Sequence, residues 1–560
     1  MIASLIARVW IALLIAALAL GESTPPVTRT VAPPGSSVVT VYDLSAAGTN
    51  TNGDLLGIRH ALDAFGIPYR VTSDHATALA ASEMLVIAGT IDSSIPRRTR
   101  DRIRADLPLW VMRPGHTLWA SAIKDTTLLA GLGLALAGES DRRGRVLVPG
   151  GSAIDRYVDA AEEHEVWLAQ YTRSPDTFTT TRAYAWSGSP YWSVEVLGSY
   201  EDSRAAVVTS CDLVSGGRVV LLGVRFRDLL TRMENQLNLS HTRGASNAFD
   251  PSADLVRLWL KASYELWTVA PSLRPAAPDG KRAAVILTHD IDATTAFSPL
   301  QSLYYPLEMS YASPRVRSTL FVTTSYRHNH WIGPFYVDPA NQAILAWGLS
   351  QGFDIQSHSV SHLPDMATWP AGQAIDDPAL YAPEYNTKTG KTTGGAVRPE
   401  MLISAKLLRT DLGANVRGWR SGELARPANM GALLAECGYW YDSDHLSGRV
   451  GGSFPYLMLA NFTSYGTEVP VLEIPLSISD GSIETRTAEE TTALWYEYTR
   501  KNAANGSPTV ILVHPTKPEL KYAPYEAYLG RIAADGDLWI GSMDEWYAWY
   551  RAQGIRSEQP

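Results

Sequence analysis

The sequence predicts an α/β fold of two successive domains, the second closing into a barrel that carries the chemistry. Three observations lead there. Short apolar strand candidates alternate with amphipathic helical stretches in both halves of the 560-residue chain, the pattern of parallel sheets covered by helices. A Pro-rich stretch, Pro271 to Asp279, separates the halves. In the second half, Asp, His and Arg residues stand directly behind strand candidates, where barrel enzymes hold their reactive groups.

The chain opens with an address. Met1 to Arg8 holds one cation, Val9 to Leu20 is continuously apolar, and Ala17-Leu18-Ala19 offers a small-residue cleavage site. That is a signal peptide over residues 1–21, and about twelve apolar residues are too few to span a bilayer comfortably. Export to the periplasm or extracellular space is expected, with an uncleaved membrane anchor as the alternative. A net charge of -9 gives no electrostatic reason to expect nucleic acid or an anionic membrane as partner. The only cysteines, Cys211 and Cys437, rule out a disulfide framework and a zinc site built mainly from thiolates. One bridge is permitted; two unrelated buried thiols are expected.

After a linker over residues 22–37, the first domain, 38–270, reads strand then helix. Val38 to Tyr42 is a strand and Asp54 to Phe65 an amphipathic helix. Tyr69 to Thr72, Met84 to Ala88, Leu109 to Met112 and Arg218 to Val224 are further strands. The β-rich, aromatic stretch from Ala153 to Cys211 reads as an insertion in the sheet, and Asp254 to Leu266 as a closing helix. This half resembles the class I glutamine-amidotransferase-like fold, in its flavodoxin-like order and its late strand beginning Gly216-Gly217-Arg218. The resemblance implies a Cys on the sharp turn after a central strand. Here the comparable turn reads Arg113-Pro114-Gly115-His116 and Cys211 sits elsewhere. A non-catalytic structural or substrate-presenting domain is therefore expected.

Behind a linker over residues 271–280, the second domain, 281–560, has strand candidates at Ala283–Leu287, Ser318–Thr323, Phe353–Gln356, Val416–Trp419, Val471–Ile474 and Thr509–Val513. Six or seven strand-helix units over ~270 residues suit a closed α/β barrel. The first strand ends in Thr288-His289-Asp290-Ile291-Asp292. Close carboxylates repel unless a cation shares them or one takes a proton. The third leads into His358-Ser359-Val360-Ser361-His362, two His about one helical turn apart and able to face one metal. Chance supplies on the order of 0.3 such pairs in a chain with this many His, so placement after a strand, rather than spacing, makes the pair telling. Asp292, His358 and His362 thus form a triad that leaves an open position, as catalytic zinc sites do. Asp290, left unligated, is the candidate base, and Arg420 behind Val416-Arg417-Gly418-Trp419 would hold it ionised. His514, behind Thr509 to Val513, is placed to protonate a leaving amine.

Thr288 to Asp292, His358 to His362, Arg420, Tyr441-Asp442-Ser443 and Leu512-Val513-His514 together resemble, in order, the motifs of the NodB-homology polysaccharide deacetylases, carbohydrate esterase family 4 and relatives. The resemblance covers roughly residues 282–554. It implies a distorted (β/α)7 barrel, a divalent metal that is usually Zn2+, and an N-acetylated polysaccharide or oligosaccharide as substrate. Position by position it implies Asp290 as base, Asp292, His358 and His362 as ligands, Arg420 as orienter and His514 as acid. The first motif departs by placing Ile291 between its acids and His289 where an aromatic usually stands. The third reads Arg420-Ser421-Gly422, and a backbone N–H near Ser421 or Gly422 is the expected oxyanion donor. Two other functions compete with polysaccharide deacetylation: hydrolysis of small non-peptide amides, as in allantoinase-like relatives, and a catalytically inert glycan-binding module. His328-Asn329-His330-Trp331 is expected to line the groove or form a surface turn. The loop from Thr387 to Gly395 is expected to be mobile. Tyr439, Trp440, Tyr441, Phe454, Tyr456, Phe462 and Tyr465 are candidates for sugar-stacking platforms or for core.

Overall fold

The computed structural model describes residues 35–44, 52–80, 83–141, 144–158, 165–168, 180–235, 252–463, 465–481 and 486–554. The signal-peptide segment and most of the first linker lie outside the described residues. Among those described, no helix is long and apolar enough to cross a membrane.

The first sheet starts from β-branched and aromatic runs that become β1 (Val39–Asp43), β2 (Tyr69–Thr72), β3 (Met84–Ala88) and β4 (Thr117–Ser121). Seven strands follow: β5 (Leu134–Ser140), β6 (Arg145–Leu147), β7 (Glu165–Trp167), β8 (Thr181–Trp186), β9 (Trp192–Tyr200), β10 (Ala205–Asp212) and β11 (Arg218–Leu222). The order is β2-β1-β3-β4-β11-β10-β9-β6-β7, with β8 paired to β10 and β5 to β8. The first five are parallel. From β10 onward the pairing is antiparallel. Strands β7 to β10 therefore extend the same sheet instead of interrupting it.

Leu109 to Met112 is not a strand. It closes the helix Arg97–Val111, whose buried Ile103, Leu107, Trp110 and Val111 recur at helical spacing and cover the sheet. The turn Arg113–His116 consequently leads into β4 instead of following a strand. The sharp turn after β4 falls at Ala122, a buried non-glycine residue with φ 51°. Its methyl group offers no nucleophile. Cys211 lies on β10, and neither cysteine is bridged.

The second sheet begins with β12 (Ala283–Ile291), β13 (Thr319–Val322) and β14 (Asp354–Ser357). A small hairpin, β15 (Glu384–Asn386) and β16 (Lys391–Thr393), stands apart from the curled sheet and takes in most of the loop from Thr387 to Gly395. Then come β17 (Gly418–Trp419), β18 (Tyr441–Asp442), β19 (Tyr456–Leu459), β20 (Glu468–Glu473), β21 (Ile478–Ser479), β22 (Thr509–Leu512) and β23 (Leu538–Gly541). The path β20-β18-β17-β14-β13-β12-β22-β21 is parallel throughout. Its two ends, β20 and β21, are neighbours in sequence. Residues 474–477 join them: the Ile474 N–H bonds the Asp442 carbonyl on one side, and the Ser477 N–H bonds the Val510 carbonyl on the other. The sheet is thereby curled on itself: Ala284, Ile286, Phe321, Leu472, Val510 and Leu512 form the apolar face that continues toward Asp290, while Val285, Leu287, Leu320, Ile355, Trp419 and Ile511 pack against the covering helices on the other.

The two domains share a buried seam. Phe454 packs edge-on against Phe65 at 4.8 Å and belongs to the first domain's core. His60 Nδ1 meets Glu234 Oε2 at 2.7 Å, and its Nε2 meets Glu468 Oε1 on β20 at 2.9 Å. The Tyr456 hydroxyl donates to the Glu234 carbonyl. Phe454, Tyr456, Tyr439, Trp440 and Tyr441 are thus buried. They build core and seam, not stacking platforms.

Candidate active site

Every predicted site residue sits at the C-terminal end of a strand of the curled sheet. Along β12 side chains alternate, so Thr288, Asp290 and the next residue beyond the strand, Asp292, share one side. This explains the Asp-Ile-Asp spacing: an extended strand places i and i+2 together without a turn. Ile291 and His289 face the other way. His289 is fully buried, its Nδ1 2.6 Å from the Val513 carbonyl and its Nε2 2.9 Å from Glu308 Oε1.

Arg420, behind β17, reaches the first acid from the neighbouring side. Its Nη1 donates to Asp290 Oδ1 at 2.7 Å and to Thr288 Oγ1 at 3.0 Å. Ser443, behind β18, holds the other edge of the guanidinium through its carbonyl and hydroxyl. Burial pushes the Asp290 carboxyl up, but Arg420, His358 and His514 outweigh it and hold the group below its ordinary range. Asp290 is therefore ionised at neutral pH.

His358 and His362 do not share a helical turn. They lie in an irregular segment behind β14 where Ser359 (φ 67°) and His362 (φ 51°) take left-handed backbone. Buried Glu400, on the helix Val397–Leu412, enforces that path. Its Oε2 accepts the N–H groups of Val360 and Ser361 at 2.7 and 2.8 Å, and its Oε1 accepts the hydroxyls of Ser361 and Tyr381. The rings converge with centroids 5.0 Å apart. The sequence reading missed Glu400, an ordinary acid in an amphipathic helix.

His358 Nδ1 donates to the Arg420 carbonyl at 2.8 Å, which leaves the Nε2 lone pair toward the site. Burial lowers its pKa to about 4, against the pull of Asp290, so the ring is neutral. Nε2 lies 3.5 Å from Asp290 Oδ2, and His362 Nε2 lies 3.8 Å from Asp292 Oδ2. The donor set, one carboxylate and two imidazoles with one tautomer fixed by a backbone carbonyl, fits zinc chemistry. Ligands of one tetrahedral zinc at roughly 2.1 Å stand about 3.4 Å apart, so the pair is a few tenths of an ångström open. Among the described residues, no group of three or more His, Cys, Asp or Glu is arranged to hold a metal ion in this structure.

His514, behind β22, completes the ring of groups. Its Nε2 is 3.6 Å from Asp292 Oδ2, and its Nδ1 is 2.8 Å from Asp480 Oδ1. Burial works against the imidazolium, but Asp480 prevails and lifts the His514 pKa to about 9. Asp480, just behind β21, is held at about 2 by His514 and by Lys521, whose Nζ is 2.8 Å away, despite its burial. Asp480 also escaped the sequence reading. Only its acid-after-strand position hinted at it. Asp292 (21%) and His514 (25%) are the exposed members of the cluster, whereas Asp290 and Arg420 lie beneath. Of the two expected oxyanion donors, the Ser421 N–H is engaged by Asp444 Oδ1 at 2.5 Å, which leaves the Gly422 N–H as the candidate.

No protein-family model matches the chain, and no curated protein does. Solved structures do match. A protein assigned as a polysaccharide deacetylase from Mycobacterium smegmatis aligns at 20% identity over 50% of this chain and 96% of its own, with a TM-score of 0.36. The carbohydrate deacetylase Agd3 aligns at 11% identity over 92% of this chain and 87% of its own, with a TM-score of 0.34. The chitin deacetylase of the fungal pathogen Colletotrichum lindemuthianum aligns at 14% identity over 49% and 87%, with a TM-score of 0.29. All three scores lie below 0.5, and the chemistry that follows rests on the side chains alone.

Proposed function

We propose that the protein is a metal-dependent deacetylase that hydrolyses N-acetyl groups on amino sugars of a polysaccharide, with the second domain a (β/α)7-type barrel. One observation carries this reading. An Arg-held carboxylate, Asp290, and an Asp-held imidazole, His514, flank a neutral-His and carboxylate cluster at the mouth of one curled sheet. Amide hydrolysis needs those two parts: a base for water and an acid for nitrogen. A divalent ion held by Asp292, His358 and His362 would supply Lewis acidity toward the carbonyl and make water acidic near neutral pH.

Asp290 Oδ2, the oxygen that Arg420 leaves free, takes the proton of the attacking water. His514 Nδ1–H is committed to Asp480, so its Nε2–H is the proton given to the leaving nitrogen. The water oxygen bonds to the carbonyl carbon first, and the C–N bond breaks as the tetrahedral adduct collapses with its nitrogen protonated, releasing acetate and a free amine. The first domain takes no part in this chemistry: its parallel order β2-β1-β3-β4-β11 supports a flavodoxin-like reading, and Ala122 stands where a nucleophile is needed. Export, on the pattern of residues 1–21, is part of the proposal.

The deciding experiment is zinc analysis of purified protein together with acetate release from N-acetylated oligosaccharides, against small amides as controls. One equivalent of metal with sugar-dependent acetate supports the reading. Metal-free protein that stays inactive after zinc addition refutes it.

A further inference from the structure

We propose a sugar-binding subsite on the rim of the barrel mouth, formed by Trp331 with His330 and Glu384, that takes a pyranose ring next to the reacting one. It deepens the deacetylase reading and rests on it. Trp331 is 44% exposed, yet its loop is built rather than slack. Buried Asn329 accepts the N–H groups of Trp331 and Ile332 on Oδ1 at 3.0 and 2.8 Å. Its Nδ2 donates to the Ser361 carbonyl at 2.9 Å. The indole is therefore bolted, through one side chain, to the residue next to His362.

The other flank is the β15–β16 hairpin. Tyr385 donates its N–H to the Asn329 carbonyl at 3.2 Å and meets Trp331 edge-on at 5.2 Å. Asp365 clamps the hairpin by accepting the Thr392 N–H and hydroxyl at 2.7 and 2.6 Å. His330 is left-handed at φ 63°, a conformation that is unfavourable for a non-glycine residue. A strained loop that holds an indole out of the core gains little from packing. Its shape instead suits the C–H face of a sugar, with the His330 and Glu384 side chains, 66% and 42% exposed, beside it for hydroxyls. That polar pair argues for a sugar over an apolar peptide.

The test uses the full chain. Calorimetry on Asp290→Asn protein, which keeps substrate intact, measures binding of tetramers and monomers of N-acetylglucosamine and of N-acetylgalactosamine. Adding Trp331→Ala should weaken tetramer binding by about fivefold to tenfold, and Trp331→Phe should recover most of that loss. In otherwise wild-type enzyme, Trp331→Ala should cut the ratio of tetramer to monomer kcat/KM by a similar factor. Unchanged tetramer affinity and an unchanged ratio would overturn the subsite while leaving the deacetylase reading intact. If the parent neither binds nor deacetylates any of these sugars, the deacetylase reading falls and the subsite falls with it.

Discussion

Replacing Glu400 with Ala should unfasten the two histidines without touching either. Glu400 is fully buried and accepts four hydrogen bonds, two from the amides of Val360 and Ser361 and two from hydroxyls. The hydroxyls of Ser361 and Tyr381 can rotate toward other acceptors; the amides cannot. Each stranded buried amide costs about 1–3 kcal/mol, so the loss is about 2–6 kcal/mol. Burial pushes the Glu400 carboxyl up in spite of its partners, so deleting the charge returns part of this and the lower end is the safer figure. About 2 kcal/mol against the loop corresponds to an apparent zinc affinity weaker on the order of thirtyfold. At about 2–4 °C per kcal/mol the melting midpoint should fall by at least about 4 °C. Glu400→Gln keeps an oxygen for the amides and presents an NH2 to oxygens that can accept, so it should stay close to the parent. Competition against a chelating dye on metal-stripped protein, with thermal unfolding alongside, reads both quantities. Parent-like zinc affinity in Glu400→Ala would refute the claim that this carboxylate holds the histidine loop.

Three further outcomes are expected. Asp290→Asn should lower turnover by at least about a thousandfold with metal content unchanged, whereas Asp292→Asn should lose metal; the reverse pattern in metal analysis would swap the two acids' roles. Arg420→Met leaves Asp290 buried without its counter-charge, a break that typically costs about 3–5 kcal/mol, so both the melting midpoint and acetate release should drop. In the seam, His60 has its pKa raised to about 10 from 6.5, with burial opposing and Glu234, then Glu468, prevailing. Because the folded value lies above the unfolded one, its stabilisation is complete below about pH 6.5 and is lost as pH rises toward 10. Urea unfolding between these limits should show that decline, and His60→Gln should flatten it.

Much of the site was legible because barrels concentrate polar groups behind apolar strands. Asp290, Asp292, His358, His362, Arg420 and His514 each follow such a run, and all six meet at one mouth. Position behind a strand is visible in the sequence; local backbone shape is not. A spacing of four suggested a helical turn between His358 and His362, but a left-handed loop supplies the convergence. Leu109 to Met112 looked like a strand because four residues cannot reveal whether their period is 2 or 3.6; the wider set from Ile103 to Val111 could have.

What the chain determined by itself was the alternation of apolar strands and helices, the Pro-rich stretch, and which residues are candidates for reactive groups, since these depend on local pattern and side-chain chemistry. What only the tertiary structure decided was which distant groups stand behind the reactive ones. Glu400 steers the histidine loop, Asp480 charges His514, and Ser443 steadies Arg420, although each is an ordinary polar residue in its own segment. Their roles arise from burial and from a neighbour 23 to 40 residues away, where removing water makes one hydrogen bond decide a backbone path or a proton's position.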